Sequence, residues 1–195
     1  MRATCDIKNN ADPIDTVAMA NIARRIDKPI VLVGLMGTGK STVGRKLANL
    51  LDLPFDDSDD AIAQAAQLSI PEIFNRFGEA YFRDGERRVI ARLMRGERGI
   101  IATGGGAFVD PVTRAAILDR AIAVWIDCDI AILAERTGRR NTRPLLRGGN
   151  RFDILTRLHA ERAPAYGEAP IRVSSDGGPH LATACAIVKA IDQWL

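Results

Sequence analysis

The sequence predicts an α/β fold: a three-layer sandwich with a central, mostly parallel five-stranded sheet flanked by helices. Two patterns predict it. Short, mostly apolar runs such as Ile30–Val33, Gly99–Thr103 and Ala121–Ile126 alternate with helical stretches. Strands that are apolar on both faces belong to a parallel sheet covered on both sides. In addition, the glycine clusters and acidic pairs of the chain follow these runs directly. Open parallel sheets bind ligands there, at the carboxyl ends of their strands.

Taken in order, strand Ile30–Val33 leads through a glycine-rich turn into a helix over Ser41–Leu51. A short strand near Leu53–Phe55 precedes Asp57-Ser58-Asp59, and helices follow over about 59–67, 70–77 and 82–93. The strand Gly99–Thr103 ends at Gly104-Gly105-Gly106. Helix Pro111–Leu118, strand Ala121–Ile126 and helix Ile130–Arg136 come next. An arginine-rich loop and helix Phe152–Ala163 follow, the helix expected to stop at Pro164. Strand Ile171–Val173 and helix Pro179–Trp194 complete the chain, and Trp125 and Trp194 are expected to pack in or against the core.

At 195 residues the chain makes one domain, over 29–195, preceded by a leader over 1–28. The leader reads either as a disordered tail or as a short helix capped by Asp15 and running to Arg25. Ile14, Val17, Ile22 and Ile26 would be that helix's apolar face. A net charge of +3 is too mild to demand a nucleic-acid or membrane partner. No apolar stretch reaches the length of a membrane span. Cys5, Cys128 and Cys185 are odd in number and lack Cys-x-x-Cys spacing, so neither a disulfide framework nor a zinc site is expected. The acidic N-terminal residues Asp6, Asp12 and Asp15 argue against a transit peptide, and a cytoplasmic protein is expected.

Gly34-Leu35-Met36-Gly37-Thr38-Gly39-Lys40-Ser41 lies between a strand and a helix, the context of a P-loop. Glycines let backbone N–H groups approach phosphates, and the helix amino end adds partial positive charge. Lys40 reaches the β- and γ-phosphates, and Ser41 can ligate Mg²⁺. Asp57 and Asp59 follow the second strand at i, i+2. One can support Mg²⁺ and the other a hydroxylated substrate; alternatively the cluster, with Asp56 and Asp60, simply caps a helix.

Four further features have both a functional and an ordinary reading. Gly104, Gly105 and Gly106 offer exposed N–H groups and close approach, or form a plain strand-to-helix turn. Arg83 and Glu86 form a solvated i, i+3 pair, or Arg83 turns inward to bind a carboxylate bidentately. The segment holding Arg136, Arg139, Arg140, Arg143, Arg147 and Arg151 reads as a lid over about 137–151. It is otherwise a basic or RNA-contacting loop, though no aromatic residue interleaves these arginines to stack on bases. Arg162 is a second carboxylate ligand or a helix-end arginine. His159 and His180 lack metal-ligand spacing and read as surface or structural residues.

Together these residues resemble the shikimate kinase family, from Ile30 to about Val173. The markers are Gly34–Ser41, Asp57-Ser58-Asp59, Ile73-Phe74 with Gly78-Glu79, and Phe82-Arg83-x-x-Glu86. Ala102-Thr103-Gly104-Gly105-Gly106, Arg143-Pro144-Leu145-Leu146 and Arg162-x-Pro164-x-Tyr166 complete the set. The resemblance implies a P-loop kinase fold and phosphoryl transfer from MgATP to the 3-hydroxyl of shikimate, in aromatic amino-acid biosynthesis. It implies ATP binding by Gly37, Thr38, Gly39, Lys40, Ser41, Thr42, Arg136 and Arg143, with Arg136 beside the adenine and Arg143 on the transferring phosphate. Asp59 would hold the ring hydroxyls and be the candidate base, beside Lys40 and Arg143 in the reaction. Arg83 and Arg162 would hold the carboxylate, and Gly104, Gly105 and Gly106 would line the pocket. Ser41 and Asp57 would hold Mg²⁺, Asp57 through water. Helices over about 59–93 would bind the substrate, and a monomer is expected.

The chain departs from the family pattern at Ala63 and Gln67, where a glutamate and a glycine are frequent. Two other activities compete on the sequence. One is another small P-loop kinase, for gluconate or a nucleoside monophosphate; the other is a non-catalytic nucleotide-binding regulator.

Overall fold

A computed structural model describes residues 16–96, 98–138 and 150–195. Its centre is a five-stranded sheet in the order β2-β3-β1-β4-β5, with every pairing parallel. The strands are β1 (Ile30–Val33), β2 (Phe55–Asp57), β3 (Ile100–Ala102), β4 (Ile122–Cys128) and β5 (Ile171–Ser175). β1 and β3 are buried along their whole length, and so is β4 apart from Asp127, which is why they read as unbroken apolar runs. β5, at the sheet edge, alternates buried and exposed residues.

Eight helices are described: α1 (Thr16–Arg25), α2 (Lys40–Leu51), α3 (Ser58–Ala66), α4 (Ile70–Leu93), α5 (Pro111–Arg120), α6 (Ile130–Gly138), α7 (Arg151–Tyr166) and α8 (His180–Trp194). The sheet separates two cores. One gathers Val31, Val33, Ile101, Phe108, Trp125 and Tyr166 under α5 and α7. The other gathers Leu32, Val43, Leu47, Val124, Ile187 and Ile191 under α2 and α8. Successive residues of β1 thus serve opposite cores, as the period of two in a strand requires. A smaller cluster, Ile62, Ile73, Phe82 and Val89, joins α3 to α4 beside the sheet.

The described part of the leader is helical. α1 buries Met19 and Ile22, and Ile26 just beyond it is also buried, but Val17 is 69% exposed and does not belong to the apolar face. Arg25 fixes α1 to α8 by donating to Asp192 at 2.6 Å. Ile14 and Asp15 lie outside the described residues. Trp125 is buried, whereas Trp194 is 48% exposed, contrary to expectation, because it ends α8 past its last buried residue, Ile191. Cys128 is free and buried, whereas Cys185 is disulfide-bonded.

Gly78, at φ 78° and ψ 177°, is non-helical and kinks α4 at the break expected after Phe77. One helix boundary differs. α7 continues through Pro164 to Tyr166. Pro164 forfeits one helical bond, to the Ala160 carbonyl, and the helix ends two residues later. No described helix is long and apolar enough to cross a membrane.

Candidate active site

The turn after β1 needs its glycines for space and for backbone shape. Gly34, Gly37 and Gly39 take φ of 136°, 88° and 88°. A Cβ on Gly34 would stand 2.4 Å from the Ile126 carbonyl oxygen. Lys40 opens α2 and folds back under the turn, its Nζ donating to the carbonyls of Gly34 at 2.7 Å and Leu35 at 2.8 Å. At 8% exposure this ammonium is buried, its charge carried by backbone oxygens. Thr38 is buried and donates to Leu35 O at 2.9 Å, pinning the turn from inside. Ser41 and Thr42 follow on the first turn of α2, half-buried and exposed respectively.

The acidic cluster resolves by geometry. Asp56 and Asp60 face solvent, Asp60 within 3.9 Å of Arg45. Asp57 ends β2 and caps α3, one carboxylate oxygen accepting from Asp59 N–H at 3.0 Å. The capping reading of Asp57 is therefore correct and does not exclude a second role for its other oxygen. Asp59 turns inward. Burial, reinforced by the charge of Asp57, raises its carboxyl above the ordinary value, against the pull of Lys40 and Arg83. The lysine of the turn and this carboxylate therefore sit within electrostatic reach of each other.

The three glycines after β3 organise the rest, each making room for a different polar group. A Cβ on Gly104 would lie 2.9 Å from both Asp59 Oδ1 and Glu86 Oε1. A Cβ on Gly105 would lie 3.2 Å from Met36 N and 3.6 Å from Arg162 Nη1. A Cβ on Gly106 would lie 2.6 Å from both terminal nitrogens of Arg83. Asp59, Glu86, Arg162 and Arg83 thus converge on one glycine face, which also abuts the phosphate-type turn at Met36. Ser58, buried at the start of α3, accepts from Gly104 N–H at 3.2 Å and locks α3 to this face.

Arg83 donates to Glu86 at 2.7 Å and to Glu79 at 3.2 Å, so the i, i+3 pair is an inward anchor rather than a solvated pair. Glu86 is only 2% exposed, and burial raises its carboxyl above the usual range although Arg83 opposes the shift. Its second oxygen, Oε1, and Asp59 Oδ1 are buried without a hydrogen-bond partner. Two such oxygens beside one glycine mark the place where hydroxyl donors or waters complete the site.

Arg162 lies in the last part of α7 and donates to the Gly105 carbonyl at 3.1 Å. The Tyr166 hydroxyl donates to the same oxygen. Tyr166 is fully buried, its ring tilted against that of Trp125 with centroids 5.8 Å apart, and burial lifts its phenol above the ordinary value against the charges of Arg162 and Arg83. Both guanidinium groups therefore act on one spot, Gly105 and Tyr166. Arg136, half-buried on α6, reaches within 4.0 Å of Cys128 Sγ. Of the expected lid, Thr137 and Gly138 end α6 and Arg151 opens α7, while Arg139, Arg140, Arg143 and Arg147 lie outside the described residues.

Sequence reasoning overlooked Glu86, Ser58 and Tyr166 as parts of this site, although Glu86 was visible as the partner of Arg83. His180, expected to be a surface or structural residue, packs on the phosphate-type turn, its Nε2 2.9 Å from where a Gly39 Cβ would be.

Comparisons with known proteins identify the family. The family model described as shikimate kinase matches residues 36–192. A shikimate kinase of Novosphingobium aromaticivorans is 55% identical over 193 residues, covering 97% of this chain and 100% of its own length. The solved structure of an Acinetobacter baumannii shikimate kinase in complex with shikimate superimposes with a TM-score of 0.83 at 34% identity, covering 92% of this chain and 98% of that one. A gluconokinase from Sinorhizobium meliloti matches with a TM-score of 0.56 at 14% identity, over 87% of this chain and 94% of that one, which shows a common fold alone. The chain belongs to the shikimate kinase family.

Proposed function

We propose that the chain transfers the γ-phosphoryl group of ATP to the 3-hydroxyl of shikimate, giving shikimate 3-phosphate and ADP on the route to chorismate and aromatic amino acids. The observation that carries this reading is the glycine face. Gly104, Gly105 and Gly106 gather one carboxylate for hydroxyls and two guanidinium groups for a carboxylate, against the turn that cradles phosphates. Shikimate is small, anionic and polyhydroxylated, and presents those two kinds of polar edge.

Arg83 and Arg162 bind the acceptor's carboxylate, Arg83 held in place by Glu86 and Glu79. Asp59 orients the ring hydroxyls. The acceptor oxygen bonds to the γ-phosphorus as the bond to the bridging oxygen of ADP breaks, and Asp59 is the nearby group able to take the hydroxyl proton. A loose transition state asks little of that base, so orientation is its larger contribution. The backbone of Gly37, Thr38 and Gly39, with Lys40, Ser41 and Thr42, binds the phosphates. Arg136 lies beside the base, and Arg143 neutralises charge from the lid.

Mg²⁺ fits the donors present. Ser41 and Asp57 offer hard oxygens, and no group of three or more His, Cys, Asp or Glu among the described residues could hold a metal by itself. That matches an ion held by one or two side chains together with nucleotide phosphates and water. When bound, it neutralises developing charge between the β- and γ-phosphates.

We propose a cytoplasmic monomer without nucleic-acid or membrane partners: the described part of the site is built within one chain, and a net charge of +3 is too mild to demand such partners. Gluconate also carries a carboxylate and hydroxyls, so the arginine pair alone does not exclude it; the 55% identity to a shikimate kinase, against 14% to a gluconokinase that shares only the fold, favours shikimate. A coupled assay of ADP release with shikimate, quinate, gluconate and nucleoside monophosphates tests the reading. Turnover is expected with shikimate far above the rest, and turnover independent of shikimate would overturn it.

A further inference from the structure

His180 is the first residue of α8, and its ring lies against the turn that precedes α2, Cδ2 and Nε2 both 2.9 Å from the position of a Gly39 Cβ. Only a glycine at position 39 leaves room for it. Burial, then the charge of Arg136 on α6, then that of Lys46 on α2, hold this imidazole below its ordinary value of 6.5. The amino end of α8 adds positive potential, with no side chain capping it. Asp176, the acid of the preceding loop, is engaged by Gly178 N–H at 3.2 Å. A neutral ring thus stands among cations beside a turn built for an anion.

We propose that His180 is a nucleotide-binding residue: with Arg136 it contacts the nucleotide beside Gly39, and its ring takes a proton from solvent as the nucleotide arrives. This rests on the reading of Gly34–Ser41 as the nucleotide site. Phosphates bring negative charge close to the ring, offset the repulsion from Arg136 and Lys46, and favour the imidazolium. The bound state then holds more protons than the free state. Linkage therefore makes nucleotide affinity rise as pH falls through the interval between the two titration midpoints. A histidine whose ring stays remote from the bound phosphates would show no such coupling.

The test uses the full ¹⁵N-labelled chain titrated with ADP between about pH 5 and 8. His180→Gln assigns the ring signals by their loss and serves as the non-titrating reference, so protonation of ADP itself cancels. Saturating ADP is expected to shift the His180 ring signals and raise their midpoint. The gain in ADP affinity from about pH 7.5 to 5.5 should be at least about threefold larger in the unaltered chain than in His180→Gln. The amide signals of Gly37 and Gly39 report separately on the nucleotide site. If they respond while the His180 ring does not, or if both chains share one pH profile, the proposal is overturned and the nucleotide site stands. If neither the amides nor the ring respond, both readings fall.

Discussion

Gly106 and Arg83 fit together so closely that a Cβ on the glycine would stand 2.6 Å from both terminal nitrogens of the arginine. The guanidinium is held on its other side by Glu86 and Glu79. Gly106→Ala should push the flexible end of Arg83 aside while leaving the backbone intact. We expect KM for shikimate to rise by at least about tenfold, KM for ATP to stay within about twofold, and the melting temperature to change little. Steady-state kinetics with each substrate varied, alongside thermal denaturation, checks this. An unchanged KM for shikimate would remove Arg83 from the acceptor site.

Arg162 and Arg83 approach the same glycine face from α7 and α4. A charge-assisted pair to a bound carboxylate contributes about 1.5–3 kcal/mol. Arg83→Ala or Arg162→Ala should therefore weaken shikimate binding by about tenfold to a hundredfold, and ATP binding by much less. Calorimetric titration with each ligand distinguishes the two. Equal losses for both ligands would show that the arginines support the fold rather than the acceptor.

Much of this was legible in the chain, for reasons that differ by residue. Ile30–Val33 and the run from Ile122 to Ile126 declared a doubly covered sheet because burial on both faces leaves no polar position. Gly34–Ser41 declared itself because phosphate binding constrains backbone shape over consecutive residues. The choice among Asp56, Asp57, Asp59 and Asp60 was not legible, since it depends on where β2 ends and α3 begins. Pro164 misled because Tyr166, buried and bonded to Gly105, draws the helix past it. The space beside each glycine of the triplet, and His180 on Gly39, join residues far apart in sequence and needed the fold to be seen.

Arg143 is assigned to the transferring phosphate through the family resemblance. An arginine that acts only as charge develops should affect turnover more than ground-state binding. Arg143→Ala is expected to lower kcat by at least about a hundredfold while ADP affinity falls by less than about tenfold. Single-turnover kinetics with a parallel ADP titration checks this. An unchanged kcat would remove it from the mechanism.

Asp110 caps α5, accepting from Thr113 N–H at 2.9 Å and from the Thr113 hydroxyl at 2.7 Å. Burial pushes its carboxyl upward, but the Thr113 hydrogen bonds and the charge of Arg87 outweigh that and hold it below 3.8. The native state thus binds this proton less readily than the unfolded chain. Its stabilisation is fully present above the unfolded value and is lost as pH falls through the lower folded one. Asp110→Ala should cost about 1 kcal/mol at neutral pH, and the difference should shrink as the pH drops below about 4. Urea denaturation of both chains across that range measures it. A pH-independent difference would assign the effect to packing rather than to the charged cap.

Gln67 ends α3 in the left-handed conformation, at φ 52° and ψ 32°, its N–H donating to the Ala63 and Gln64 carbonyls. It stands where the family frequently has glycine, and its side chain is exposed. A non-glycine residue in this conformation costs about 1–2 kcal/mol, against about 0.5–1 kcal/mol for the greater freedom glycine has when unfolded. Gln67→Gly should therefore stabilise the protein by about 0.5 kcal/mol, while Gln67→Ala, which keeps a Cβ in the same conformation, should bring no gain. Paired urea denaturation curves of the three chains check this. α3 carries Asp59 at its other end, so KM for shikimate should stay unchanged in Gln67→Gly if the cap serves stability alone. A fall in that KM would instead show that the strain at Gln67 reaches the acceptor site through α3.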